Sequence, residues 1–241
     1  MLKAINRVFS WYQKISFKQY LLISFAVMVA FALILHFMGQ VWICKCGYVK
    51  LWHGVTFSSE NSQHISDWYT FSHVIHGFVF YWIYSILRKK FGLSFGFGFI
   101  LALLAEVSWE IFENTDMIIN RYREVTISLD YYGDSVINSL FDVLFMILGF
   151  FLAWKLPVWI TVFLIIALEV FVGYNIRDNL TLNIIMLIYP MDWIYDGSRE
   201  GKKICEVYGR SSLYFSRQTG IRASRPELFQ LKSSPSPPNR R

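Results

Sequence analysis

GLSFGFGFILALLAEVSWEIFENTD, residues 92–116, decides the fold. From Gly92 to Phe112 it is almost wholly apolar and has about the twenty residues that a helix needs to cross a bilayer core. Yet it carries Glu106 and Glu110, with Glu113 just beyond. At helical spacing these three recur at i, i+4 and i+7, so they share one face. A helix that is oily on most sides and acidic on one belongs in a bundle that turns the acid stripe inward.

The rest of the chain repeats the pattern. Of 241 residues, 55% are hydrophobic, 19% aromatic and only 17% charged, with a mean hydropathy of +0.39, values that separate a polytopic membrane protein from a soluble domain. Apolar blocks at residues 20–38, 71–87, 92–112, 136–154 and 158–176 read as spans. A shorter block at 180–194, interrupted by Pro190 and Asp192, reads as a sixth crossing or a re-entrant segment. The expected fold is an all-α transmembrane bundle of about six spans over residues 1–195, with a tail at 196–241. In 92–98 the glycines do not follow a strand, which argues against a phosphate loop. Gly92 and Gly96 instead suggest a small-xxx-small surface for close helix packing.

Charge orients the bundle. The formal net charge is +6, and the tail after Tyr195 holds all of that excess, with ten Lys/Arg against four acids. That distribution favours membrane lipids as partners and argues against nucleic acid. Lys3, Arg7, Lys14 and Lys18 precede the first span, and Arg88, Lys89 and Lys90 close the second. By the positive-inside rule both mark the cytoplasmic side. No signal-peptide cleavage pattern follows the N-terminal basic run. The N-terminus and the tail, which ends SSPSPPNRR and has the composition of a disordered segment, are therefore expected in the cytoplasm. The segments 40–70 and 113–135 become outer loops, and the second has five acids against Arg121 and Arg123.

Cys44, Cys46 and Cys205 do not suggest a disulfide framework, since the first two are close in sequence and the third is expected across the membrane. The run CKC with His53 is a metal-site alternative that lacks the usual zinc spacing.

Polar residues of three spans meet at one depth. With about 1.5 Å of rise per residue, Glu110 and Glu106 lie roughly 3 and 9 Å inside the outer boundary. His73 and His76 enter from the second span at i and i+3. Asp134, Asn138 and Asp142 enter from the fourth at i, i+4 and i+8. Residues 100–104, 145–152 and 158–168 contain no ionisable side chain, so the pocket is expected to open outward and to be closed beneath.

Ionisable residues within spans face the bundle interior and often mark function. Glu106, Glu110 and Asp142 are the candidate acid/base groups. His73, His76 and Glu110 are the candidate ligands of a divalent metal, which would be the cofactor. Glu169 is a fourth candidate for the cluster. The competing reading has the carboxylates paired with His73, His76, Arg121 or Arg123 and only knitting helices together. There is no HExxH, no GxSxG elbow and no GxGD pair to assign a reaction class, so an enzyme, a binding protein, a transporter and an assembly partner all stay open.

CGYVKLWHG, ENSQHISDWYTFSHVIHGFVFY, AEVSWEIFEN, INRYREVTISLDYYGDSVINSLFD and IRDNLTLNIIMLIYPMDWI, in that order, resemble a family of bacterial multi-pass inner-membrane proteins of unknown function. The resemblance runs from about Met38 to Ile194. It implies the bacterial inner membrane as location and implies no activity. A weaker similarity is to VanZ-like membrane proteins, which place a His, a Glu and an Asp-xxx-Asn on successive helices. Here His73 or His76, Glu110, and Asp134 with Asn138 match that pattern, while the glycines expected after the Asn are missing.

Overall fold

The structure is a computed structural model that describes residues 15–125, 131–191 and 194. The basic tail, Cys205, Asp130, Asp192 and most of the N-terminal basic run lie outside the described residues. Every regular element among the described residues is helical: α1 (Phe17–Phe37), α2 (Thr70–Phe91), α3 (Phe95–Glu113), α4 (Asp116–Val125), α5 (Val136–Lys155), α6 (Val158–Ile176) and α7 (Leu180–Ile188).

Local chemistry sets the helix ends. Ser16 opens α1 with a capping box: its hydroxyl accepts the Gln19 N–H, and the Gln19 side chain accepts the Ser16 N–H at 2.7 Å. Ser94 and Ser135 cap α3 and α5 in the same one-sided way, accepting from Phe97 and Asn138. Gly92 ends α2 in the left-handed region, φ 68°.

Four helices, α1, α3, α5 and α6, are long and apolar enough to cross a membrane. The chain is thus a membrane protein. On α6, Phe163, Ile166, Val170 and Tyr174 are exposed, as are Leu21, Leu22 and Phe25 on α1, the pattern of helices that face lipid rather than water. The 22-residue α2 matches them in length but is more polar, because it carries His73, His76, Tyr81 and Tyr84 and ends in Arg88, Lys89 and Lys90.

Two expectations change. Residues 180–188 form a helix of nine residues, about 13 Å at 1.5 Å per residue and so too short to cross a hydrocarbon core of roughly 30 Å. Residues 116–125, read as loop, form α4, whose Ile118, Ile119 and Tyr122 pack inward on Tyr131. Its apolar residues recur at helical spacing within a short polar stretch, a pattern that a search for spans passes over.

The most extensive helix pair is α2 with α5. Its closeness comes from Gly77 and Gly149: a Cβ on either would run into the other helix's backbone, at Met146–Phe150 for Gly77 and at Val74 for Gly149. This pair does what was expected of Gly92 and Gly96. Gly92 is a helix cap with open space around it, and Gly96 lies against the Tyr20 ring. Beneath this crossing Leu103, Val107, Val143, Met146 and Phe150 form a packed apolar core with Phe31 and Leu35 of α1.

The loop at 40–69 folds over the N-terminal end of α5. Val136 N–H donates to Val41 O at 2.8 Å, and Ser135 N–H to Ser62 O at 3.0 Å. The Asn138 side chain donates to His64 O at 2.8 Å.

Candidate functional site

The polar stripes of α2, α3 and α5 converge at one end of the bundle. His73 Nδ1 lies 2.7 Å from Glu106 Oε1 and 3.3 Å from Glu110 Oε1, while its Nε2 faces Asp142 Oδ2 at 3.9 Å. One turn along α2, His76 Nδ1 lies 3.1 Å from Glu106 Oε2. Glu106 is therefore held between two imidazoles. Asp142 is further fixed by the Thr70 hydroxyl, which donates to Oδ1 at 3.4 Å.

Glu110 differs from its neighbours. It is 0% exposed, and neither carboxylate oxygen has a hydrogen-bond partner. Such a group costs free energy unless something pairs with it. Among the described residues no lysine or arginine comes within ion-pair distance of Glu106, Glu110 or Asp142. Arg121 donates instead to Leu187 O, and Arg123 to Tyr131 O and Asn120.

Two triads could each surround a cation: His73 with His76 and Glu106, and His73 with Glu110 and Asp142, the ligand atoms of each lying within 4.8 Å of one another. The expected set of His73, His76 and Glu110 is thus divided between two overlapping groups that share His73. Their shorter separations resemble the edge of a zinc tetrahedron, about 3.4 Å for bonds of 2.0–2.1 Å.

His73, His76 and Asp142 of this cluster line an open pocket, with Glu106 and Glu110 behind them. Tyr69, Trp109, Tyr122 and Tyr131 supply aromatic wall, and Leu180 and Ile184 of α7 close one side. Near the mouth, Glu113 accepts from the Tyr122 hydroxyl at 2.9 Å. Asp134 accepts from Tyr131 and Asn114 at 3.0 and 3.1 Å. Burial, reinforced by the nearby Glu113 carboxylate, pushes Asp134 up to about 7.

Other candidates are structural. Asn138 ties the loop to α5 rather than facing His73, so the Asp-xxx-Asn pattern supplies only Asp134 to the pocket. Glu169 accepts the Leu180 and Thr181 N–H groups at 3.2 and 3.1 Å and so serves the N-terminus of α7, whose dipole favours an anion there. The walls Asn61, Tyr69, Trp109 and Tyr122 were not legible as a site, because they come from loops and helix ends with no common period.

The outer loop forms a second polar cluster. The Lys50 N–H donates to His64 Nδ1 at 3.3 Å, which leaves the proton of a neutral His64 on Nε2, 3.1 Å from Glu60 Oε2. Lys50 Nζ meets the same oxygen at 2.6 Å, and Tyr48 donates to Oε1 at 2.8 Å. Burial raises the Glu60 pKa, but these donors outweigh it and hold the group at about 2. Contrary to expectation, Cys44 and Cys46 form a disulfide. The Gly47 N–H donates to Cys44 O at 3.0 Å in a turn that brings the two Cα atoms to 5.1 Å. The thiols of a CKC metal site are thereby tied up. The imidazole near enough to join them is that of His64, while His53 faces Lys50 Nζ and Val55 O.

Residues 35–198 match the model of a family described as a protein of unknown function, DUF2585. A UPF0314 protein of Rhizobium meliloti is 54% identical over 173 residues, covering 72% of this chain and 87% of that protein. One of Sinorhizobium fredii is 60% identical over 158 residues, 65% and 79% of the two chains. One of Paracoccus denitrificans is 56% identical over 169 residues, 70% and 86%. No solved structure matches.

Proposed function

Because the chain belongs to the DUF2585 family, whose function is unknown, we propose its activity from the site alone: a membrane-embedded metal centre that acts on the polar head of a lipid-linked or other envelope amphiphile. The observation that carries this reading is Glu110, a fully buried carboxylate whose oxygens accept no hydrogen bond and whose nearest basic group is the His73 imidazole, 3.3 Å from Oε1, with Asp142 beside it. A role confined to knitting helices would leave no reason for that cost, whereas a divalent cation removes it.

His73, His76 and the carboxylates of Glu106 and Glu110 are the ligand types for zinc or a harder divalent ion. A bound ion would supply Lewis acidity or an activated water. Glu106 orients both imidazoles. Asp142 lines the pocket and is held by Thr70, so it is the carboxylate placed to exchange a proton with a bound molecule.

In this reading the pocket faces away from the cytoplasm of a bacterial inner membrane. Lys18, Arg88, Lys89, Lys90 and Lys155 all lie at the opposite helix ends from His73 and Glu110. The packed residues Val143, Met146 and Phe150 beneath the cluster favour a closed-bottomed site over a transport path.

Elemental analysis of the purified full-length protein tests the reading. Wild type should hold a stoichiometric divalent ion, with His76→Ala and Glu110→Gln each losing most of it. Metal near zero in folded wild-type protein would sink the metal centre.

A further inference from the structure

The pocket is short of positive charge. Glu113, Asp134 and Asp142 line it, with Glu106 and Glu110 behind them, and among the described residues its basic lining is His73 and His76. Glu113 and Asp134 are held by neutral donors, the tyrosine hydroxyls and Asn114, and the Tyr122 hydroxyl reaches only Oε1 of Glu113, which leaves Oε2 as an acceptor. Away from the proposed metal centre, no lysine or arginine among the described residues lines the pocket to pair with an anion, while carboxylate and amide acceptors are in surplus.

A second observation, independent of the carboxylates, specifies hydrogen-bond donors. Asn61 lines the same pocket, is 5% exposed, and its Oδ1 has no partner. The side-chain amide donates to Ser62 Oγ at 3.4 Å, which leaves the carbonyl oxygen waiting for an N–H or O–H. Trp109 and Tyr122 line the same pocket, rings whose faces attract a cation.

We propose that the pocket recognises a primary ammonium on the head of its amphiphile, with Asn61 and Glu113 accepting its N–H groups and Trp109 and Tyr122 flanking it. This rests on the reading of the pocket as a substrate site and adds the chemical class of the substrate. A quaternary ammonium has the charge but no N–H, and a glycerol head has donors but no charge. Neither matches both the unpartnered acceptor and the acidic lining.

The test incubates full-length protein with mixed micelles of phosphatidylethanolamine, phosphatidylcholine and phosphatidylglycerol in equal parts. Retained lipid is read by native mass spectrometry, and metal content is measured on the same sample. The three heads share a phosphate and differ in what they carry beyond it. The ethanolamine lipid should be retained about tenfold over each of the others, the worth of a single charge-assisted hydrogen bond. Glu113→Gln and Asn61→Leu should each bring the ratio towards one while metal content stays at the wild-type level, which reports that the variants are folded.

Equal retention of the three lipids, or preference for either of the other two, overturns the proposal. Metal without ethanolamine preference removes only this inference, and preference without metal removes only the metal centre. Free ethanolamine in excess separates the sources. Displacement of the lipid supports recognition of a soluble amine, and failure to displace a retained lipid supports recognition of the head on its lipid.

Discussion

Replacing Glu110 by glutamine distinguishes a carboxylate that holds a cation from one that only packs helices, because the two roles predict opposite signs. Glu110 is buried among α2, α3 and α5, and neither oxygen accepts a hydrogen bond. An unsatisfied buried polar group costs ~1–3 kcal/mol, and more when charged. In the presence of a chelator, Glu110→Gln should therefore be as stable as wild type or more so. Glutamine keeps a buried polar amide but sheds the charge, so the unfolding midpoint in chelator should equal or exceed that of wild type. With metal about a hundredfold above its Kd, wild type gains about 2.7 kcal/mol and the variant, missing a ligand, gains less. The order of the two midpoints then narrows or inverts. Thermal unfolding of both proteins in detergent, with chelator and with zinc, reads this directly. A variant less stable than wild type in chelator, with a wild type that metal does not move, would refute the reasoning.

Four other outcomes follow from the geometry. Gly77→Leu drives a side chain into the Met146–Phe150 backbone, so it should cost at least the ~1–3 kcal/mol of ordinary overpacking and reduce the monodisperse fraction on gel filtration. Glu60 has a folded pKa held at about 2 against the ordinary 4.5 of a glutamate. A depressed acid stabilises the fold above its unfolded pKa, so the outer loop should lose order as pH falls from 4.5 towards 2, and Glu60→Gln should flatten that dependence in hydrogen exchange. Asp178, outside the long helices, is pushed from 3.8 to about 6, chiefly by burial. A raised acid favours the fold below its unfolded pKa and loses that stability as pH rises through 6, so Asp178→Asn should flatten the fall in unfolding midpoint between about pH 4 and pH 6. Finally, Cys44 and Cys46 should resist alkylation until a reductant is added, as read by intact mass, and prompt labelling without reductant would contradict the disulfide.

The parts of this molecule that were legible in the sequence are those that follow a period. Glu106 and Glu110 fall one helical turn apart and His73 and His76 three residues apart, and both pairs meet where the spacing aims them. Asp142 joins them because it shares the face of α5 that packs on α2. Asn138, one turn earlier on that helix, was diverted to His64 O by a loop whose path has no periodic signature. Glu169 was misread for a related reason. Its depth looks like that of a buried site residue, but the chain turns back after α6 and brings the first N–H groups of α7 onto it. The glycine crossing was hidden because Gly77 and Gly149 lie on different helices, so neither forms a repeat with a neighbour.

That crossing bears on what the site can do. The glycines remove side-chain bulk between α2 and α5, which lets the two backbones approach and sets His73 opposite Asp142 on neighbouring faces. The same closeness packs Met146 and Phe150 into the apolar core beneath the polar groups. A transporter needs its site to open in turn to both sides, which would require α2 and α5 to separate at the place where their backbones are most tightly fitted. An enzyme or receptor of an amphiphile needs only one opening, and here the wall on that side is α7, a nine-residue helix held at its start by Glu169. Weakening that hold should therefore affect ligand entry more than the centre itself. Glu169→Gln is expected to change the rate of lipid exchange in the mixed-micelle assay while leaving metal content unchanged. A loss of metal in that variant would mean that α7 supports the centre instead of bounding its entrance.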